Sequence, residues 1–291
     1  MKKLFVGWLV IVLSAGAYAP VWAQVPLPGL DKVASYSMYD PRGQWIVEGK
    51  NLDDIRPLAS LTKLMTAYVI LQHQPFWSKK IIMKKSDDIF GSSNFVRPGG
   101  VYTIRQLWQT GLVASANNAI KTLVRVVGLK EADVVAEMNE VARGLGLVNT
   151  KFADVTGLNP GNVSTAREFN TLMSLAMSQK TISDTLKIKS FYIGAGKLRR
   201  LVKTTNNLLG QDFVRYGKTG FIDESGYNFG AILDNGGLKY QLLILGAPSR
   251  SESFANARVL ARWVYGVGDY SQFISTATGP MTLLPSQKGG N

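Results

Sequence analysis

The residues that first suggest chemistry are a serine and a lysine three positions apart, in Ser60-Leu61-Thr62-Lys63. On a helix, positions i and i+3 lie on one face, so the lysine amine can reach the serine hydroxyl. A lysine whose pKa is lowered by burial or by nearby cations can act as a general base for such a nucleophile. Most occurrences of this pattern are only a helix cap followed by a solvated lysine, so the pair needs support from other elements.

The composition excludes several mechanisms that compete with a serine–lysine pair. The chain has 291 residues, no cysteine and one histidine. These counts exclude disulfides, thiolate metal sites, cysteine nucleophiles and zinc sites with several histidines. A Ser-His-Asp triad would depend on His73, which lies about 20 Å from Ser60 along a straight helix and is predicted to be a helix-end residue.

A second candidate element is Ser115-Ala116-Asn117, at the break between two predicted helices. A hydroxyl and an amide at this place could move a proton and hold a substrate amide. Ser92-Ser93-Asn94 fits the same pattern, but it lies in a loop flanked by glycine and proline. We prefer Ser115 because a well-capped helix delivers it to the next helix N-terminus, where an ordinary N-cap is the alternative interpretation.

A third candidate element is Lys218-Thr219-Gly220, followed by Phe221. On an edge strand beside the nucleophile, the lysine would supply positive charge and the threonine hydroxyl could bind a carboxylate. The glycine would let a substrate backbone approach closely. We expect the backbone N–H groups of Ser60 and Phe221 to form an oxyanion hole.

The elements that must position these residues can be predicted from periodicity and turn signals. A strand–turn–strand unit covers 34–48, a helix runs from 57 to about 74, and the part from about 80 to 190 is mostly helical. Thr103 with Gln106, and Thr165 with Glu168, have the spacing of capping boxes. Strands at 227–233 and 238–246 are joined by a hairpin turn at 234–237, and a helix follows from about 253 to 265. This layout predicts a mixed α/β sheet with an inserted helical subdomain.

The three motifs together resemble the penicillin-binding protein and serine β-lactamase superfamily, in which S-x-x-K, S-x-N and K-T-G occur in this order. The flanking residues 59–67, 113–119 and 218–221 are similar to the D-alanyl-D-alanine carboxypeptidase family of low-molecular-mass penicillin-binding proteins. Thr156-Gly157-Leu158 and the segment 162–168 are similar to its short members with DD-endopeptidase activity, of the penicillin-binding protein 7 type. The resemblance covers about 30 to 270. It implies a β-lactamase/transpeptidase-like α/β (α+β) fold, an antiparallel sheet flanked by helices.

The resemblance also implies acyl transfer on D-alanyl bonds of peptidoglycan stem peptides and cross-links, with β-lactams acylating the same serine. Endopeptidase activity is favoured, and carboxypeptidase activity remains open. The resemblance calls for no metal or organic cofactor. The implied roles are nucleophile for Ser60, general base for Lys63, proton relay for Ser115, substrate-amide ligand for Asn117, and substrate ligands for Lys218, Thr219 and Gly220.

Two other functions are compatible with parts of the sequence. A class A β-lactamase needs a glutamate that activates the deacylating water, and Glu168 is the candidate. Its capping-box position explains this residue without catalysis, and Ser-Ala-Asn replaces the Ser-Asp-Asn of those enzymes. A non-catalytic wall-binding or antibiotic-sensing protein is disfavoured by the intact motifs. Arg250 is either an extra carboxylate ligand or, as we favour, a surface arginine.

The N-terminus predicts export. Lys2 and Lys3 precede an apolar run from Leu4 to about Ala19, and Val21-Trp22-Ala23 has small residues where a signal peptidase cuts. We expect residues 1–23 to be a signal peptide cut after Ala23; as an uncleaved anchor the run is short of the roughly 20 residues that a bilayer needs.

The expected mature protein is periplasmic, without a stable membrane span. We assign 24–270 to the peptidase domain, with its helical subdomain at about 80–200, and 271–291 to a tail. The net charge of +13, from 33 Lys+Arg against 20 Asp+Glu, suits carboxylate-rich peptidoglycan. Export argues against nucleic acid as a partner.

Overall fold

A computed structural model of the chain describes residue 27 and the ranges 29–89, 95–194 and 199–266. The predicted signal peptide, the predicted tail at 271–291 and the alternative triplet at 92–94 lie outside these described residues. In the described part of the chain, no helix has the length and apolar character needed to cross a bilayer.

Strands of the main sheet lie at both ends of the described chain, and the last of them is followed by a helix that packs on the sheet. The strands are β1 (Ser35–Asp40), β2 (Trp45–Lys50), β3 (Arg56–Pro57), β4 (Lys80–Ile82), β5 (Val101–Thr103), β6 (Val163–Ser164), β7 (Ser190–Ile193), β8 (Arg200–Lys203), β9 (Val214–Ile222), β10 (Gly226–Asn235) and β11 (Leu238–Ala247). The α-helices are α1 (Lys63–Gln72), α2 (Ile104–Val113), α3 (Asn117–Val126), α4 (Glu131–Gly144), α5 (Ala166–Ser178), α6 (Lys180–Leu186) and α7 (Arg250–Val264).

The main sheet has five antiparallel strands in the order β2-β1-β11-β10-β9. The two N-terminal strands therefore complete a sheet whose other strands come from the end of the chain, with most of the helices inserted between them. Strand β9, which carries Lys218-Thr219-Gly220, forms one edge of the sheet, as the sequence predicted.

The sheet is buried on both faces, and β11 shows why. Leu243 and Leu245 belong to the core shared with α1–α6, whereas Leu242 and Ile244 belong to the core shared with α7. Alternate residues of a strand point to opposite faces, so a strand covered on both sides needs a continuous apolar run. The run at 242–245 therefore places this strand in the centre of the molecule.

Local signals predicted several elements correctly. The hairpin between β10 and β11 turns on Gly236 and Gly237, whose φ angles of 60° and 95° suit a two-residue turn with left-handed backbone. The Thr103–Gln106 capping box at the start of α2 is present, with both reciprocal hydrogen bonds.

Other boundaries differ from the prediction. Helix α7 begins at Arg250, three residues before the predicted start, because Ser249 caps it by accepting from the N–H of Glu252. The region 80–190 is less uniformly helical than predicted, since it also contains the short strands β4, β5 and β6.

Candidate active site

Ser60 lies in a 3-10 turn, Ala59–Thr62, that leads directly into α1. The sequence predicted that the serine would lie in the first turn of an α-helix, but the α-helix begins only at Lys63. In 3-10 geometry, side chains at i and i+3 eclipse each other, which brings the lysine side chain above the serine. Lys63 Nζ lies 2.7 Å from Ser60 Oγ.

Lys63 is fully buried, and its amine contacts three oxygen atoms. Nζ lies 2.7 Å from Ser60 Oγ, 2.7 Å from Asn117 Oδ1 and 2.5 Å from the carbonyl oxygen of Thr156. Burial disfavours the ammonium form and lowers the pKa of Lys63 to about 7, although the negative charge of Asp154 opposes part of this shift. Near neutral pH a substantial fraction of the lysine is therefore a free amine.

The three contacts determine what the free amine does with its lone pair. A neutral amine has two N–H groups and one lone pair, whereas the ammonium ion has only donors. The Asn117 amide oxygen and the Thr156 carbonyl are both acceptors, so they take the two N–H groups. The lone pair then faces Ser60, whose hydroxyl donates to it, and this is the arrangement that a general base needs.

The Thr156 carbonyl is held by a loop organised around Asp154. The Asp154 carboxylate accepts from the backbone N–H groups of Thr156 at 2.8 Å, Gly157 at 2.5 Å and Asn159 at 2.8 Å, and from Asn162 Nδ2 at 3.0 Å. One carboxylate thus fixes the backbone that presents an acceptor to Lys63. Neither Asp154 nor the carbonyl was predicted from the sequence; an aspartate followed at short range by glycine and asparagine is a turn signal that could have identified the loop.

Two glycines allow backbone to pack against the nucleophile. Gly157 has φ +85°, and a Cβ there would lie 1.9 Å from the carbonyl oxygen of Ala59 and 3.0 Å from the nitrogen of Ser60. A Cβ at Gly220 would lie 2.9 Å from the carbonyl oxygen of Leu58 and 3.1 Å from the nitrogen of Ser60. The Thr156–Gly157 loop and edge strand β9 therefore approach the serine closely only because these positions lack a side chain.

Gly157→Ala is expected to lower the free energy of unfolding by at least about 2 kcal/mol, because the new methyl group both collides with backbone and disfavours positive φ. Chemical denaturation of the purified variant measures this loss. Acylation by a fluorescent penicillin should also slow, because the displaced Thr156 carbonyl would no longer hold the Lys63 amine.

Gly144→Ala is the matched control for this substitution. Gly144 lies in the last turn of α4, and a Cβ there meets no atom within 4 Å. Alanine in a helix is more favourable than glycine by up to about 1 kcal/mol, so this variant should be equally or more stable. Equal stability of the two variants would contradict the close approach at Gly157.

Ser115 and Lys218 form the second polar pair of the site. Ser115 lies between α2 and α3 with φ 59°, and Lys218 Nζ donates to its hydroxyl at 2.7 Å and to the carbonyl of Thr219 at 2.8 Å. Lys218 is only 1% exposed. Burial, together with the charge of Lys63, holds the pKa of Lys218 well below its usual range. Two buried lysines thus lie in one site, and the charge of Lys63 disfavours the ammonium form of Lys218.

Thr219 faces a residue that the sequence motifs do not identify, Thr205. The two hydroxyl groups lie 2.6 Å apart, with Thr219 Oγ1 donating to Thr205 Oγ1. Arg250 is exposed, in line with the interpretation as a surface arginine. Its Nη2 donates to the carbonyl oxygen of Thr205 at 2.8 Å and to Asn207 Oδ1 at 3.3 Å. This arginine therefore braces the backbone of the threonine that meets Thr219.

Phe221 lies at the exposed end of the same strand, 47% exposed and stacked on Tyr227. Gly220, one residue earlier, brings the strand to the nitrogen of Ser60. The oxyanion hole formed by the N–H groups of Ser60 and Phe221 stays a prediction.

Glu168 takes part in the predicted helix cap through its backbone N–H, whereas its carboxylate binds other residues. Thr165 Oγ1 accepts from the backbone N–H of Glu168, as predicted for the cap. The carboxylate, however, accepts from the backbone and side chain of Asn149 and from the hydroxyl of Thr150 at 2.6 Å. The Glu168 carboxylate therefore stabilises the loop at Asn149 and Thr150. This structural role gives no support to Glu168 as the base of a β-lactamase.

His73 ends α1 as its C-cap residue, as predicted. Its Nε2 lies 2.8 Å from a carboxylate oxygen of Glu137 on α4. The histidine is thus paired with another helix at the end of α1 remote from Ser60.

Comparison with known proteins identifies the family of this chain. Residues 32–249 match the peptidase family described as D-alanyl-D-alanine carboxypeptidase, peptidase S11. The chain belongs to this family. Membership makes the protein a serine peptidase and confirms the family predicted from the three motifs.

Two relatives in sequence and one solved structure are similar to this chain. The D-alanyl-D-alanine endopeptidase of Haemophilus influenzae is 32% identical over 205 residues, covering 69% of this chain and 70% of that protein. The D-alanyl-D-alanine endopeptidase of Pseudomonas aeruginosa is 28% identical, covering 98% of this chain and 92% of that protein. Penicillin-binding protein D2 from Listeria monocytogenes, solved in a cefotaxime-bound form, has a TM-score of 0.71 at 27% identity and covers 80% of this chain and 97% of that chain. The structural likeness confirms the predicted fold class.

Proposed function

We propose that this protein is an exported serine DD-peptidase that cleaves D-alanyl bonds of peptidoglycan cross-links through an acyl-enzyme on Ser60. The observation that carries the proposal is the buried Lys63 amine, with a pKa of about 7, placed 2.7 Å from the serine hydroxyl. The names of the relatives from Haemophilus influenzae and Pseudomonas aeruginosa support the choice of endopeptidase. D-alanyl-D-alanine carboxypeptidase activity is the alternative, because the family's description favours it.

Acylation would begin with transfer of the Ser60 proton to the Lys63 lone pair. The serine oxygen forms a bond to the D-alanyl carbonyl carbon, and the carbonyl π electrons move to oxygen, where the N–H groups of Ser60 and Phe221 would stabilise the negative charge. Asn117 uses its oxygen on Lys63, which leaves its NH₂ group to donate to a substrate amide carbonyl.

Collapse of the tetrahedral intermediate would break the C–N bond and release the amine of the second stem peptide. That nitrogen needs one proton, which the Ser115 hydroxyl would relay from the protonated Lys63 amine, so that Lys63 is again a free amine. In deacylation, water would give a proton to the Lys63 amine while its oxygen attacks the ester carbonyl. The proton then returns to Ser60 as the C–O bond breaks, which regenerates the enzyme.

Carboxylate recognition is assigned to the edge strand. Lys218 and Thr219 lie side by side on β9, and Gly220 leaves space for a substrate backbone against the strand. An anion in this place would compensate the desolvation of Lys218 and favour its ammonium form. A carboxylate of the leaving stem peptide, or of a β-lactam, has the charge and the planar oxygen pair that this group can bind. We extend β-lactam acylation to Ser60 from the cefotaxime-bound Listeria relative.

The test uses purified protein with two substrates, cross-linked muropeptide dimers and pentapeptide monomers, followed by chromatography of the products. We expect loss of dimers and an equivalent gain of monomers. Removal of the terminal D-alanine from pentapeptides, with dimers left intact, would overturn the endopeptidase and establish the alternative.

Ser60→Ala serves as the control for contaminating hydrolases in this assay. Wild-type protein that is acylated by penicillin, yet leaves both substrates unchanged, would contradict the proposed substrate class while retaining the nucleophile.

A further inference from the structure

The small antiparallel pair β4–β5 has an outward surface that the proposed peptidase reaction does not use. Ile82 pairs with Val101 and Lys80 with Thr103, while Ile81 and Tyr102 point to the core side. Ile82 is 61% exposed and Val101 is 56% exposed. Two neighbouring aliphatic side chains are thus presented to solvent on one short strand pair.

A third exposed apolar residue lies beside this strand pair, because Phe76 lines one hollow together with Thr103, the partner of Lys80. Phe76 is 71% exposed and lies in the turn before β4. That turn is attached to the start of α2, because the backbone N–H groups of Ile104 and Arg105 donate to the carbonyl oxygens of Lys79 and Trp77, each at 3.1 Å. The backbone that carries Phe76 is therefore tied to α2 on its C-terminal side. We call the surface formed by Phe76, Lys79, Lys80, Ile82, Lys84 and Val101 the β4–β5 face.

The β4–β5 face is strongly basic as well as apolar. Two open hollows of about 740 and 440 Å³ lie along it, one lined by Lys79, Lys80, Lys84 and the two aliphatic residues, the other by Phe76 and Arg105. The acidic residue beneath it, Asp87, is buried and paired with Arg125 at 2.6 Å, so its charge is already compensated. Lys79, Lys80 and Lys84 are themselves exposed to solvent.

We propose that the β4–β5 face docks the protein on a phospholipid surface rich in anionic headgroups. Lysines around exposed apolar side chains match a membrane interface, where phosphates bind the cations and the acyl boundary takes up the apolar groups. Peptidoglycan carboxylates would satisfy the lysines but would leave Phe76, Ile82 and Val101 in water. The combination therefore favours lipid over cell wall as the partner of this face.

Helix α2 connects the β4–β5 face to the candidate active site. Helix α2 starts at Ile104, directly after β5, and ends two residues before Ser115. Its 10 residues span about 15 Å at the usual rise per residue. Ser115 therefore lies about one helix length from the end of β5, so the β4–β5 face and the candidate active site are separate surfaces.

The experiment is co-sedimentation of purified protein with vesicles of phosphatidylcholine alone or with 30% phosphatidylglycerol, at two salt concentrations. We expect binding to the anionic vesicles only, and weakening by salt. Replacing Lys79, Lys80 and Lys84 by Gln should weaken binding at least about tenfold and reduce its salt dependence. Phe76→Ser with Ile82→Ser should weaken binding about tenfold with the salt dependence unchanged.

Exposed lysines elsewhere provide the matched control. Lys32→Gln, Lys151→Gln and Lys239→Gln remove the same net charge from other surfaces and should weaken binding by less than about twofold. Equal losses in the two lysine variants would overturn the proposal, because binding would then follow net charge alone. The variants of the β4–β5 face are also tested for binding to purified sacculi. If they lose binding to sacculi but keep binding to vesicles, the face binds the cell wall and the proposal is overturned. Penicillin acylation should be unchanged in every variant, which separates this test from that of the proposed function.

Discussion

Ser60→Ala is expected to abolish covalent labelling by a fluorescent penicillin and to lower the hydrolysis of D-alanyl substrates by at least about 10⁴-fold. The reason is that the proposed reaction forms a bond at Ser60 Oγ, and among the described residues no other hydroxyl contacts the Lys63 amine. The measurement is in-gel fluorescence for the label and chromatography for the products.

Ser178→Ala is the matched control for the nucleophile. Ser178 is an exposed residue at the end of α5 whose hydroxyl donates to the carbonyl of Leu175 within the same helix. The control variant should label and hydrolyse like the wild type. Covalent penicillin on the Ser60→Ala variant would overturn the whole assignment, since another group would then be the nucleophile.

The parts of the fold that could be predicted are those with local physical causes. The capping box at Thr103 and the glycine pair at 236–237 determine the start of α2 and the hairpin turn, whatever the rest of the chain does. The short pairs β4–β5 and β7–β8 were missed. Each has only three or four residues per strand, so pairing across the chain determines them and local periodicity does not.

The candidate site also has parts that could be predicted from the sequence and parts that could not. Side chains with a recognisable spacing, such as Ser60 with Lys63, could be chosen from the sequence. The carbonyl of Thr156 could not, because every residue has such an acceptor and only the fold decides which one meets the amine. The 3-10 turn at 59–62 was also not predicted; Gly157 and Gly220, which pack closely against it, come from distant parts of the chain.

Burial of Lys63 predicts how acylation depends on pH. The free amine is the base, and the pKa of Lys63 is lowered to about 7, so the fraction of competent enzyme rises with pH and is half-maximal there. The charged groups facing this amine are Lys218, whose pKa is also lowered, and Asp154. We therefore expect the second-order rate of penicillin acylation to rise through pH 7. An ordinary exposed lysine would instead give a limb near pH 10.

Asp154→Asn should move the rising limb to lower pH. The aspartate charge favours the ammonium form of Lys63, so its removal makes the free amine available at lower pH. The maximal rate should fall at the same time, because asparagine cannot accept all the N–H groups that order the Thr156 loop. Asp133→Asn, an exposed position in the first turn of α4, should leave the limb in place. A rate that falls in the Asp154 variant with an unshifted limb would show that Asp154 only supports the loop.

Lys63→Met is expected to lower acylation by about 10³-fold or more and to remove the limb near pH 7 altogether, because no base then accepts the serine proton. Lys63→Arg should be similarly impaired, since a guanidinium stays protonated even when buried and has no lone pair to offer. Lys239→Met, at an exposed position on β11, should leave both rate and profile unchanged. Stopped-flow acylation between pH 5 and 9 separates these cases. Persistence of the wild-type limb in Lys63→Met would contradict the assignment of this lysine as the base and would direct attention to Lys218, the other buried amine of the site.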